Sequence, residues 1–165
     1  MIRNKVRTNG HTTEKAGIDE LTGAWNRAGF IAAATPMFQS CQRRGASIAL
    51  AYFDFHGNQA EHAAPDNATV DRVLMTMAEL MRKAFRASDI IGRVDTLRFA
   101  VLLPDCTDEA LAAVDGVRAL TAAADAPRAL TLTAAMVRNP GGGTLDDLMR
   151  AADARMREMK SGNCN

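Results

Sequence analysis

The chain has 165 residues, 47% hydrophobic and 24% charged, which is enough burial to offset the ordering of one domain and too apolar for disorder over most of its length. Twenty Lys and Arg against nineteen Asp and Glu leave a net charge of +1, which argues against a nucleic-acid binder held by a broad basic field. No stretch approaches the roughly 18 apolar residues of a membrane span, and the start lacks the apolar core of a signal peptide, so a cytoplasmic protein without membrane contact is expected.

Residues 1–18 carry Arg3, Lys5, Arg7 and Lys15 against Glu14 alone and read as a mobile, mildly basic lead-in to one domain over residues 19–165. The spacing of Phe30, Ala33, Ala34, Met37, Phe38 and Cys41 predicts a helix from Asn26, its cap, to Arg44, with a kink or break at Pro36. Ser47 to Asp54 is short and apolar, as a strand buried on both faces requires. Val70, Val73, Leu74, Met77, Leu80, Met81 and Phe85 form one stripe of a helix of about five turns. Asp89–Val94 and Leu97–Leu103 read as two strands joined by a tight turn at Asp95-Thr96 and closed by Pro104. Thr107–Ala123 reads as an Ala-rich helix, Leu130–Val137 as a strand, and Leu145–Lys160 as a last helix capped by Thr144 after three glycines. The order helix, βαββαβ, helix predicts an α/β fold, an α+β sandwich, with a central mixed sheet covered on a face by helices.

Cys41, Cys106 and Cys164 are odd in number and lack CxxC spacing, which suggests reduced thiols rather than a disulfide framework or a zinc site. No cofactor and no metal are expected. Asp54, His56 and His62 share no helical or strand spacing that would gather them on one side, so the two histidines read as solvated loop residues. The methionines Met75, Met77, Met81, Met156 and Met159 read as core filler or a soft partner surface. Trp25 reads as core or hairpin packing.

The string Asp19-Glu-Leu-Thr-Gly-Ala-Trp-Asn-Arg-Ala-Gly-Phe30 resembles the D-x-L-T-G-L-x-N-R-R-x-F signature that opens GGDEF domains, the diguanylate cyclase family. Tyr52-Phe-Asp54, Arg86-Ala-Ser-Asp89-Ile-Ile-Gly-Arg93, Phe99-Ala-Val-Leu-Leu-Pro104 and the stretch from Ala151-Ala-Asp153 to Lys160 follow in the family's order. The resemblance implies a nucleotide-cyclase-like fold over residues 19–165. It also marks departures. The five residues that should read G-G-[DE]-E-F read Asp95-Thr96-Leu97-Arg98-Phe99. The family's glycines let the turn approach GTP, so Asp95 and Thr96 are expected to strain and crowd it. Arg98 stands at the metal-binding glutamate, and at roughly 4 Å and an effective dielectric near 20 each unit charge pair is worth about 4 kcal/mol, so attraction for a metal becomes repulsion.

In the same vestigial substrate pocket, Asp54 and Asp71 are retained. His56 replaces an aspartate, Gln59 a phosphate-binding lysine and His62 a guanine-reading asparagine, and the glycine of a later strand is absent from Thr131-Leu-Thr-Ala-Ala135. The expectation is a degenerate domain without cyclase activity. Arg86 and Asp89 fall on the family's inhibitory RxxD site, which implies cyclic di-GMP as ligand, read by an arginine fork and a carboxylate. Their alternative reading is a pair of surface charges at a helix end. The implied function is a cyclic di-GMP receptor signalling to a protein partner not identified by the sequence, with a homodimer as a further form of partnership. The alternative is a ligand-independent interaction or scaffold domain.

Overall fold

The computed structural model describes residues 17–57, 64–123 and 130–162. Its elements are β1 (Trp25–Asn26), α1 (Arg27–Arg44), β2 (Ile48–Gly57), α2 (Asn67–Ala84), β3 (Ile90–Asp95), β4 (Arg98–Pro104), α3 (Asp108–Ala123), β5 (Leu130–Arg138) and α4 (Leu145–Gly162). The strands form one sheet in the order β1-β3-β4-β2-β5. β1 runs parallel to β3, and the other pairs are antiparallel, so the sheet is mixed as the element order predicts.

Strand alternation divides the apolar residues of β2 between two cores. Ala49, Ala51, Phe53 and Phe55 pack with Leu74, Met77 and Met81 of α2 and Val114 and Val117 of α3. Leu50 and Tyr52 pack with Phe30 and Phe38 of α1 and Leu148, Met149 and Met156 of α4. Helices therefore cover both faces of the sheet rather than one. The methionines divide accordingly, since Met77, Met81 and Met156 are buried whereas Met75 is exposed.

The caps are local chemistry. Asn26 accepts from the Gly29 N–H at 2.9 Å, and Asp66 accepts from the Thr69 N–H at 2.7 Å. Thr144 accepts from the Asp147 N–H while Asp147 accepts from Thr144 N–H, a reciprocal capping box at the start of α4. α1 ends at Gly45, whose φ of 64° is left-handed, and the N–H of Ala46 returns to Cys41 C=O.

Four expectations need correction. Pro36 lies inside a continuous α1, because it and Ala32, whose carbonyl it leaves unpaired, are on the exposed side where water can satisfy that group. The hairpin turn falls at Thr96-Leu97, one residue later than expected, with a bulge between Arg93 and Asp95. The turn also needs no glycine: among the described residues the non-glycine with positive φ is Asp105, so Asp95 and Thr96 carry no left-handed strain. Finally, the lead-in placed over residues 1–18 already belongs to the fold where it is described, since Gly17 C=O accepts from Asn26 N–H and Ile18 bridges Trp25. Trp25 is thus in a hairpin but 37% exposed rather than in the core.

Candidate functional site

β2 brings Asp54 to the end of the sheet on the α4 side, directly opposite Arg98 of β4 and Thr133 of β5. Cross-strand neighbours of opposite charge attract, and here the geometry is close. Arg98 donates to Asp54 Oδ2 from Nη2 at 2.7 Å and from Nε at 3.2 Å. Its Nη1 donates to Asp153 Oδ1 at 2.7 Å, and its guanidinium lies 5.2 Å from the centre of the Tyr52 ring. Lys160 Nζ donates to the same Asp54 Oδ2 at 2.7 Å. Asp153 and Lys160 are seven residues apart on α4, two turns and so one face, a spacing that could have drawn attention to them as a pair in the sequence.

Electrostatics follow from this packing. Burial works against the Arg98 charge, yet the hydrogen bond and charge of Asp54, with Asp153 beyond, more than offset it and hold its pKa above the ordinary arginine value. Burial first, and then the Asp153 charge, push Tyr52 up to about 12 despite the opposing charge of Arg98.

The cluster does not suit a divalent ion. A Mg²⁺ site needs carboxylate oxygens free to face the ion, and the Asp54 oxygen is occupied by two cationic side chains, one of them the guanidinium directly across the strand pair. Among the described residues no group of three His, Cys, Asp and Glu side chains is placed to hold a metal.

Arg86 and Asp89 are brought together, but into their own turn. Asp89 Oδ2 accepts from the Arg86 backbone N–H at 2.8 Å, and the Asp89 N–H donates to Arg86 C=O at 3.0 Å. Arg86 Nη2 donates to Pro104 C=O at 3.2 Å and reaches Asp89 Oδ1 only at 3.5 Å. The Arg86 side chain is 45% exposed and that of Asp89 2%, so the aspartate is buried rather than a surface charge.

The other expected residues scatter. Asp71 is exposed on α2, and Asp95 is exposed with Oδ1 accepting from Thr96 N–H. His56 belongs to β2 rather than a solvated loop, half-buried and hydrogen-bonded to the Thr133 hydroxyl at 2.8 Å. Gln59, His62 and Cys164 lie outside the described residues.

A second tie joins the opening motif to the hairpin. Asp19 accepts from the Thr22 N–H and hydroxyl and from Arg93 Nη1, and Arg93 Nη2 donates to Thr96 C=O at 2.8 Å. Partial burial raises the Asp19 carboxyl, but the Thr22 and Arg93 contacts outweigh it and leave it below the usual carboxylate range. Arg82 of α2 donates to Thr22 C=O.

The family described as "Diguanylate cyclase, GGDEF domain" matches residues 16–165. The chain is 32% identical over 94 residues to the probable diguanylate cyclase DgcE of Escherichia coli, covering 57% of this chain and 8% of that protein. It thus spans a small part of that curated relative. Among solved structures, the GGDEF domain of DgcB from Caulobacter crescentus, in complex with c-di-GMP, is similar with a TM-score of 0.75 at 19% identity over 99% of this chain and 92% of that one. The diguanylate cyclase SiaD of Pseudomonas aeruginosa, in complex with its activator SiaC, is similar with a TM-score of 0.74 at 26% identity, over 88% of this chain and 58% of that one.

Proposed function

Since the chain belongs to the GGDEF family, matching it from residue 16 to 165, we propose that it is a member without cyclase activity, a cyclic di-GMP receptor that signals to a protein partner through the Arg86–Asp89 turn. The observation that carries the loss of activity is the pairing of Asp54 with Arg98 and Lys160. Two-metal phosphoryl transfer needs carboxylates that hold and share ions between attacking and leaving oxygens. Here the compensating positive charges are side chains, fixed in place and unable to ligate a phosphate oxygen and a carboxylate as an ion does.

The receptor half rests on the RxxD pair, whose arginine remains partly exposed and able to offer a planar fork. c-di-GMP bound to the similar DgcB domain supports the ligand, and SiaC bound to SiaD supports partnership with a protein. One observation favours the alternative, a ligand-independent scaffold: Asp89 is 2% exposed and already engaged by its own turn.

The test has two arms. Incubation with GTP and Mg²⁺ or Mn²⁺ is expected to yield no cyclic di-GMP; turnover near 1 s⁻¹ or above, an ordinary enzymatic rate, would refute the inactive reading. Calorimetric titration with cyclic di-GMP is expected to show binding that Arg86→Ala weakens at least about tenfold and Asp71→Ala leaves unchanged. No heat at about 100 μM ligand, enough to populate a micromolar complex, favours the scaffold.

A further inference from the structure

The two edges of the sheet differ. β1, at one edge, is two residues long, and a strand that short offers a neighbour almost nothing to pair with. β5, at the other, is nine residues long, beyond the roughly five or six usual for a strand, and follows β2 in one unbroken register from Leu130 to Arg138. Among the described residues no strand pairs with its outer side. Soluble proteins guard such an edge with Lys, Pro, a bulge or an inward-pointing charge, and β5 has none of these. Its one charge, Arg138, stands at the end and reaches Asp108 of α3 at 3.7 Å. Leu130, Leu132, Met136 and Val137 stay only half-buried. The register also shows which backbone groups are open. Asn139 N–H donates to Ile48 C=O at 2.8 Å, continuing the pairing that sets Arg138 opposite Ala49. Hydrogen-bonded pairs alternate along an antiparallel ladder, so Thr131, Thr133, Ala135 and Val137 turn their N–H and C=O toward β2. Leu130, Leu132, Ala134, Met136 and Arg138 turn theirs outward.

We propose that this edge pairs with a second copy of the chain, β5 against β5 in antiparallel register about a two-fold axis at Ala134, joining two sheets into one. Every outward residue then meets an outward residue: Ala134 meets its own copy, Leu132 meets Met136, and Leu130 meets Arg138. A parallel pairing in register would set Arg138 beside Arg138, and like charges placed opposite repel. Leu132 and Met136 pack against the core that α2 and α3 cover, so their contact carries that core across the axis. α3 shares this core with Ala134 and is tied to the end of β5 by Arg138. The axis therefore lays α3 antiparallel to its copy, with the exposed Asp115 and Arg118 of opposite sign across it. Such a pairing uses the same patch on both copies and closes at the dimer rather than growing into a fibre. It is separate from the Arg86–Asp89 turn, which leads into β3, with β4 and β2 between it and β5.

Sedimentation of the full chain without any ligand, from about 1 to 100 μM, is expected to show a monomer passing into a dimer, as a micromolar dissociation constant requires. Ala134→Pro removes an N–H that points outward, a place where an edge strand tolerates proline, and so leaves the β2 ladder intact. It is expected to weaken the dimer at least about tenfold while the melt stays cooperative. Amide exchange, read residue by residue, gives a measurement that needs no variant. Thr131, Thr133, Ala135 and Val137 are expected to be protected at every concentration, and Leu132, Ala134 and Met136 only as the dimer fills. That alternation decides the matter if Ala134→Pro fails to fold. A wild-type chain that stays monomeric throughout overturns the proposal. So does a dimer that forms while Leu132, Ala134 and Met136 exchange as fast as in the monomer, or one that a folded Ala134→Pro leaves unchanged, since another surface would then hold it.

Discussion

A carboxylate placed at the end of a central strand needs a counter-charge, and Asp54, with 9% of its side chain exposed, has Arg98 and Lys160 on one oxygen. Leaving a partly buried charge short of a partner costs more than the pair contributes. Arg98→Met removes the cross-strand donors and the contact with Asp153, so it is expected to lower stability by about 1 to 3 kcal/mol, read as a shift in urea midpoint at constant m-value. A shift within experimental error would mean that Lys160 alone compensates Asp54. Tyr52 gives a second reading of the same environment. It is the chain's one tyrosine, and its pKa is pushed from 10.0 to about 12. A folded-state pKa above the unfolded value contributes stability that is complete below pH 10 and lost as pH rises toward 12. Absorbance titration of the native chain should therefore show phenolate forming near 12, and urea midpoints should fall across the same interval. Ordinary titration near 10 would show that the ring is not buried as described.

At the scale of elements, close approach decides which substitutions are tolerated. β3 and α1 meet at Gly92, where an added Cβ would lie 2.7 Å from Phe30 Cβ, the first side-chain atom, whose place is fixed by the helix backbone whatever the rotamer. Gly92→Ala is expected to cost about 1 to 3 kcal/mol, as overpacking does, with the urea midpoint as readout. An unchanged midpoint would indicate that β3 and α1 separate freely. A different element contact is held by charge: Asp19, which ties the opening loop to the hairpin through Arg93, has a lowered pKa. Its contribution is present above the unfolded carboxylate pKa and is lost as pH falls through the folded one. Asp19→Asn is therefore expected to lower stability at neutral pH and to narrow the gap from wild type below about pH 4.

These contacts also mark what the sequence discloses. Long strands and helices were legible because their apolar periodicity reaches the core on its own, as with Val73, Leu74, Met77 and Met81 on α2. β1, two residues long, carries no period, and it exists only because Trp25 and Asn26 pair with Gly92 and Arg93. Asp54 and Arg98 were legible as site positions through a motif. Lys160 stands in the closing family-like stretch, but its pairing with Asp54 was not legible, since the two lie 106 residues apart in the chain and only the fold brings them near. The solvated reading of His56 failed for the same reason, because Thr133 reaches it across a strand pair.

For the whole molecule, the Arg98 cluster joins β2, β4 and α4 at one end of the sheet, with two cations balancing two carboxylates. Reversal of one member tests whether that balance holds α4 on the sheet. Arg98→Glu leaves Asp54, Asp153 and the new carboxylate around Lys160, so the local charge changes from neutral to −2. Like charges a few ångströms apart in a partly buried place repel by several kcal/mol at an effective dielectric near 20, and α4 is the element that can move away. The variant is expected to melt below wild type. The same three carboxylates can hold a divalent ion, whose binding to the folded state alone stabilises it by mass action. Millimolar Mg²⁺ or Mn²⁺ should therefore raise the melting temperature of Arg98→Glu toward wild type while leaving wild type itself unmoved. On the proposed inactive reading, cyclase activity is not expected to appear with the ion, because Gln59 and His62 stand where the resemblance implies phosphate- and guanine-binding residues. Metal-dependent stabilisation of the wild-type chain equal to that of the variant would show that Arg98 and Lys160 do not exclude an ion from Asp54, and would reopen the case for metal-dependent chemistry at this end of the sheet.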